Sequence, residues 1–157
     1  PFQKEGAVTF TASTTGIYTV TCKPGANSAT PRQSSHVLCL APSGGCFPLH
    51  GYVGNLYFCV PPGTTEFGLK VSGEGAESDK ATLFDATGKQ VWTQDNIDEA
   101  CMFDTVRRAN LQGEVWCVKL ARPSAAVFED YFVDLRGVPP ILGFSPQALL
   151  QPHRGSR

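Results

Sequence analysis

The chain has 157 residues, 41% hydrophobic and 17% charged, with 13 basic against 14 acidic side chains and a net charge of -1. That is enough apolar material for one domain core and too little charge for a disordered chain. No basic field draws it to nucleic acid or to an anionic membrane, and no apolar run approaches the roughly 18 residues of a membrane helix.

Sixteen glycines and twelve prolines, among many threonines and valines, argue against helix, and no window shows a clear 3.6-residue period. Short alternating runs replace it. "GAVTFTA" puts Val8, Phe10 and Ala12 on one face, and "GIYTVTC" follows after a short turn. "SSHVLCLA" comes next, after a Gly/Pro/Ser-rich loop over 23–33; a second such loop covers 41–54. "NLYFCV" stops at Pro61-Pro62-Gly63, where a ladder cannot continue. "TEFGLKV" predicts Phe67, Leu69 and Val71 inward, with Glu66 and Lys70 outward. "KATLFD" and "KQVW" flank Asp85-Ala86-Thr87-Gly88, which fits a type I turn closed by a left-handed glycine. "CMFDTV", "EVWCVKLA" and "VFEDYFVDLRG" complete the series.

About ten short strands separated by turn signals predict an all-β fold, an antiparallel, jelly-roll-like β-sandwich. Residues 1–150 are expected to form one domain, with 138–150 a Pro-containing arm along its body or toward a neighbour, and 151–157 a loose tail. A start at Pro1 with no signal peptide in view reads as a mature product or an excised piece.

Six cysteines without a CxxC motif make a structural zinc site a poor expectation, and oxidised pairs would imply export. If "CMFDTVRRANLQGEVWC" folds symmetrically about Ala109, Phe103 faces Val115 and Cys101 faces Cys117. Cys39 and Cys46 bracket a short loop, leaving Cys22 and Cys59. Buried free thiols are the alternative for any of them.

No hydrolase, metalloprotease or phosphate-loop motif is present. Of three histidines, His153 falls in the tail and His36 in a strand pattern; His50 shares a loop with Tyr52. A His–Tyr pair suits acid–base work or anchors a loop, and Cys46–His50 is a weaker nucleophile pair. Asp95, Asp98 and Glu99 offer hard oxygen ligands for a structural Ca2+, the alternative being a solvated acidic loop. Glu74/Glu77/Asp79 and Glu129-Asp130 are further clusters. Trp116, Phe58, Phe67, Phe84 and Phe103 read as core. Trp92 ends a strand before a polar loop, and Gln94, Asp95 and Asn96 follow. An aromatic face packs on the C–H face of a sugar while polar neighbours read its hydroxyls. The candidate ligand-binding set is therefore Trp92, Gln94, Asp95 and Asn96, with Tyr52 and His50 as a second group.

The run "LYFCVPPGTTEFGLKVSGEGAESDKATLFDATGKQVWTQDNIDE", followed by "EVWCVKLARPSAAVFEDYFVDLRGVPP", resembles β-sandwich accessory domains of large secreted bacterial polysaccharide-degrading enzymes. The V-P-x-G and D-x-x-G elements are also similar to those of carbohydrate-binding sandwich modules. The resemblance covers residues 55–140. It implies a secreted, extracellular or periplasmic, non-catalytic module that binds polysaccharide or oligosaccharide beside a covalently linked catalytic domain. The alternatives are a structural domain packed on that enzyme without binding glycan, and a small polysaccharide lyase or hydrolase.

Overall fold

The computed structural model describes residues 4–42, 44–99, 101–106 and 112–150. The expected tail over 151–157, with His153, and the expected turn around Ala109 lie outside the described residues. The chain divides into two compact units, one ending at Pro31 and one beginning at Arg32.

The second unit is the sandwich. Among the described residues its ten strands are β1 (Cys39–Leu40), β2 (Phe47–His50), β3 (Gly54–Val60), β4 (Glu66–Gly73), β5 (Asp79–Phe84), β6 (Gln90–Ile97), β7 (Cys101–Val106), β8 (Glu114–Ala121), β9 (Asp130–Arg136) and β10 (Leu142–Gly143). They form a six-stranded sheet, in the order β1-β10-β3-β8-β5-β6, and a four-stranded sheet, β2-β9-β4-β7. All pairings between these strands are antiparallel. One short 3-10 turn spans Pro146–Ala148. Among the described residues no helix is long and apolar enough to cross a membrane.

The period-2 pattern builds the core. Leu56, Phe58 and Val60 of β3 and Trp116, Val118 and Leu120 of β8 point from the larger sheet. Phe67, Leu69 and Val71 of β4 meet them, with Tyr131, Val133 and Leu135 of β9. Phe67 bridges the layers, its ring centroid 5.7 Å from Phe58 and 5.0 Å from Trp116, both edge-on. The Trp116 indole N–H donates to Glu114 Oε2 at 2.9 Å, so its burial leaves no polar penalty.

The Asp85–Gly88 turn forms as its residues dictate. The Gly88 amide donates to Asp85 O, Gly88 has φ 82°, and Asp85 Oδ1 accepts from the Thr87 amide and hydroxyl and the Lys89 amide. Those donors hold the Asp85 carboxyl below its ordinary pKa, the Thr87 hydroxyl foremost.

Five expectations are corrected. Residues 6–12 and 16–22 alternate like strands but carry no ladder, and their residues are exposed; alternation selects a face but cannot supply a hydrogen-bonding neighbour. The loop expected over 41–54 contains β2, and the C-terminal arm contains β10, which seats Leu142 in the core. Residues 101–106 and 114–121 do not pair: β7 lies beside β4 in one sheet and β8 between β3 and β5 in the other. Cys101 therefore faces Val71, and Cys117 faces Tyr57 and Phe84. Cys101 and Cys117 are free thiols, as are Cys22, Cys39 and Cys59; the Cys39 thiol donates to Ala148 O at 3.0 Å. Finally, Phe84 is not core. Leu83 and Phe84 are adjacent, so only one can face inward; Leu83 is fully buried and Phe84 half-buried on the outer face.

Candidate functional site

Alternation along β6 separates the residues that the sequence groups together. Trp92 pairs with the core residue Leu83, and Gln94 with the core residue Ala81, so both face the interlayer side at the open edge. Trp92 is half-buried and packs on Phe103 of β7 across that edge, ring centroids 6.1 Å apart. The exposed Gln94 amide donates to Asp95 O at 3.3 Å.

Asp95 and Asn96 are engaged within the protein. Asp95 Oδ2 accepts from Lys80 Nζ at 3.0 Å, and its Oδ1 accepts the Asn96 and Ser124 amides at 2.9 and 3.0 Å. The Lys80 ammonium, then the Ser124 amide, hold the Asp95 carboxyl below its ordinary pKa. Asn96 occupies the left-handed region at φ 53°, where Asn is among the better tolerated residues. Its side-chain carbonyl accepts the Ala125 amide and its N–H donates to Ser124 Oγ, each at 2.9 Å. This cluster pins the 122–129 loop to the β5–β6 hairpin. Asp98 Oδ1 accepts the Glu99 amide at 2.8 Å. Asp95, Asp98 and Glu99 do not converge as ligands: among the described residues no three His, Cys, Asp or Glu side chains form a metal-holding group. The other acidic clusters form no such group among the described residues either. Glu77 Oε2 accepts the Asp130 amide at 2.7 Å, and Asp79 is fully buried.

His50 and Tyr52 lie at the opposite edge. His50 ends β2, which is separated from β7 by β9 and β4, about 15 Å of strand spacing from the edge where Trp92 packs on β7. Its Nδ1 lies 2.7 Å from Oδ1 of its cross-strand partner Asp130. Tyr52 donates its hydroxyl to Asn55 O at 3.1 Å, stacks obliquely on Phe144, and accepts the Tyr131 hydroxyl at its carbonyl, at 2.5 Å. Burial, then the neighbouring Cys117 and Tyr57, push the Tyr52 phenol pKa up.

Those neighbours belong to a groove on the outer face of the six-stranded sheet that the sequence does not single out. It holds about 320 Å³ and is lined by Asn55, Tyr57, Phe84, Asp85, Gly88, Cys117 and Lys119. Strand register explains it. Tyr57, Cys117 and Phe84 are cross-strand partners and form one row. Asn55, Lys119, Thr82 and Thr93 form the adjoining row, with the two threonine hydroxyls 2.9 Å apart. An aromatic–thiol–aromatic row thus runs beside an amide–ammonium–hydroxyl row, and the Asp85–Gly88 turn closes one end. The signal in the sequence is the outward position of each strand: residue 57 between Leu56 and Phe58, and residue 84 after Leu83. Tyr52 borders this groove through Asn55; Trp92, His50, Asp95 and Asn96 do not line it.

The thiol in the groove, Cys117, is not an activated nucleophile. Burial pushes the Cys117 thiol up to about 11, so it stays protonated at neutral pH. A smaller depression of about 270 Å³ on the other sheet is lined by Cys46, Lys70, Ser72, Phe132 and Asp134. There Lys70 and Asp134 are cross-strand partners, and Arg136 Nε donates to Asp134 Oδ2 at 3.1 Å.

Compared with models of protein families and with curated protein sequences, the chain matches none.

Proposed function

We propose that the sandwich is a non-catalytic carbohydrate-binding module of a secreted protein, and that it holds an oligosaccharide stretch along the outer face of its six-stranded sheet. The observation that carries this is the pair of adjacent rows. Tyr57 and Phe84 supply rigid apolar surface for the C–H faces of sugar rings. Asn55, Lys119, Asp85 and Thr82 supply donors and acceptors for hydroxyls at sheet spacing. The rows lie on paired strands, so the platform is preorganised and binding orders few side chains. Linked to a catalytic domain, such a module raises the local concentration of the polymer it grips. Trp92 and Gln94 form a separate edge feature, and a structural Ca2+ is no part of this proposal.

In the arm over 138–150, Leu142 and Leu149 are buried while Phe144 stays exposed, so a structural docking role remains the second reading.

Affinity electrophoresis across neutral and acidic polysaccharides tests the proposal. Retardation of the wild type on at least one gel, lost in Tyr57→Ala and in Phe84→Ala, supports it. Absence of retardation on every gel, or retardation that survives both substitutions, overturns it.

A further inference from the structure

Lys119 stands at an exposed position of β8, in the middle of the outer face of the six-stranded sheet. Its cross-strand partners are Asn55 on β3 and Thr82 on β5. An amide and a hydroxyl therefore flank it, with Cβ atoms about 4.5–5.5 Å away on either side. The next outward residue of β8 is Cys117, set between Tyr57 and Phe84. Three polar groups thus lie in line beside two aromatic rings.

The other charges of this face are matched within the protein. Lys80, the next outward residue of β5 beyond Thr82, donates to Asp95 Oδ2 at 3.0 Å. Asp85, the carboxylate of the groove wall, turns its Oδ1 onto the Thr87 hydroxyl and amide and the Lys89 amide, and the Lys89 charge also acts on it. Lys119 has no such match: among the described residues no carboxylate lies within ion-pair distance of it. Its charge is felt inside the groove. Burial raises the Cys117 thiol most, and Lys119 is among the groups that pull it back. The chain as a whole carries a net charge of -1, so no general attraction draws a polyanion to it.

An ammonium only donates, and its strongest bonds go to an acceptor that is itself charged. A carboxylate or a sulfate has enough oxygens to take one bond from Lys119 and another from the Asn55 amide or the Thr82 hydroxyl beside it. The sugar ring that carries the anion then lies against the aromatic row. We infer that the polysaccharide held on this face is an acidic one, and that an anionic group of a bound sugar residue, a uronate carboxylate or a sulfate ester, sits on Lys119. The inference rests on the glycan-binding reading of the sheet face and narrows its substrate class.

Affinity electrophoresis at graded polymer concentration tests it on two matched pairs: polygalacturonate against its fully methyl-esterified form, and a sulfated galactan against the unsulfated galactan. At least one acidic member is expected to bind about 5-fold or more tightly than its neutral counterpart, and to lose affinity as salt is raised. Binding of polygalacturonate identifies the anion as carboxylate, and binding of the sulfated galactan as sulfate. Lys119→Gln lowers affinity for that acidic polymer about 5-fold or more, without moving the urea midpoint. Lys70→Gln makes the same charge change on the outer face of the other sheet and leaves the affinity unchanged. Equal binding of acidic and neutral members, still lost in Tyr57→Ala, overturns the acidic assignment and leaves the glycan platform standing. A loss in Lys70→Gln as large as in Lys119→Gln overturns it in favour of diffuse charge attraction. No retardation on any polymer, the wider set of neutral and acidic polysaccharides included, removes the platform and the inference with it.

Discussion

Asn96 holds Ser124: its side-chain amide donates to Ser124 Oγ at 2.9 Å while its carbonyl oxygen accepts the next amide, that of Ala125. One residue thus supplies a left-handed backbone turn at the end of β6 and two bonds to a loop 28 positions away. Asn96→Ala loses both bonds and places alanine at positive φ, so it destabilises the sandwich by about 1–3 kcal/mol in urea unfolding. Asn96→Gly loses the bonds but relieves the backbone, and costs less. Equal costs for the two would show that the backbone conformation at 96 carries no strain.

Asp79 makes stability fall as pH rises. Its side chain is fully buried where β5 begins, and neither oxygen has a hydrogen-bond partner among the described residues. Desolvation pushes its pKa from 3.8 to about 7, and the Lys80 and Ala121 amides, nearby but outside hydrogen-bonding geometry, pull the other way only weakly. The folded chain therefore keeps a proton that the unfolded chain releases. Below pH 3.8 both states hold it and nothing is lost. Between there and about pH 7 the unfolded state is favoured progressively, by up to about 4 kcal/mol, and above pH 7 the loss is constant. Asp85 and Asp95, with lowered pKa values, act in the opposite sense as pH falls. The difference between wild type and Asp79→Asn isolates the effect. The variant is expected to gain on the wild type from pH 4 to pH 7, and a pH-independent difference would contradict the assignment.

Trp92 and Tyr57 separate packing from binding. Trp92 packs on Phe103 at the sheet edge, so Trp92→Ala costs about 1–3 kcal/mol of stability by lost burial, with little loss of glycan retardation. Tyr57→Ala is expected to do the reverse, lowering affinity 10-fold or more with a small change in urea midpoint. A glycan affinity that follows Trp92 instead would move the binding face to the β6 edge.

Thiol chemistry orders the cysteines. Cys22 is exposed, Cys59 is buried, and Cys117 is half-buried with its pKa raised to about 11. Under native conditions at pH 8, iodoacetamide is expected to label Cys22 first and Cys117 at least about a hundredfold more slowly. Mass spectrometry of timed samples reads this directly. Rapid labelling of Cys117 would show that the groove activates its thiol, and would reopen catalysis there.

Much of the sandwich was legible along the chain because its cause is local. Each inward triplet, such as Phe67-Leu69-Val71, is written at period two, and Asp85-Ala86-Thr87-Gly88 carries its turn in its own side chains. The candidate site was legible only as composition. Trp92, Gln94, Asp95 and Asn96 look like one cluster because they are adjacent in sequence, yet pleating sends Trp92 and Gln94 to one side, and Asp95 and Asn96 into a loop clamp. Tyr57 and Phe84 looked unremarkable because 27 positions separate them, and only their common partner Cys117 makes them a row.

The amino-acid sequence by itself determined the central strand segments, inward faces such as Phe67-Leu69-Val71, and the tight turn, since steric preference and apolar alternation act between near neighbours. Tertiary structure decided the rest. It chose which strands pair, sent β7 and β8 to different sheets, left residues 6–22 without a ladder, and brought Tyr57, Cys117 and Phe84 together. Pairing between sheet neighbours is settled by burial and hydrogen bonding across long stretches of chain, and that competition leaves no mark in any single segment.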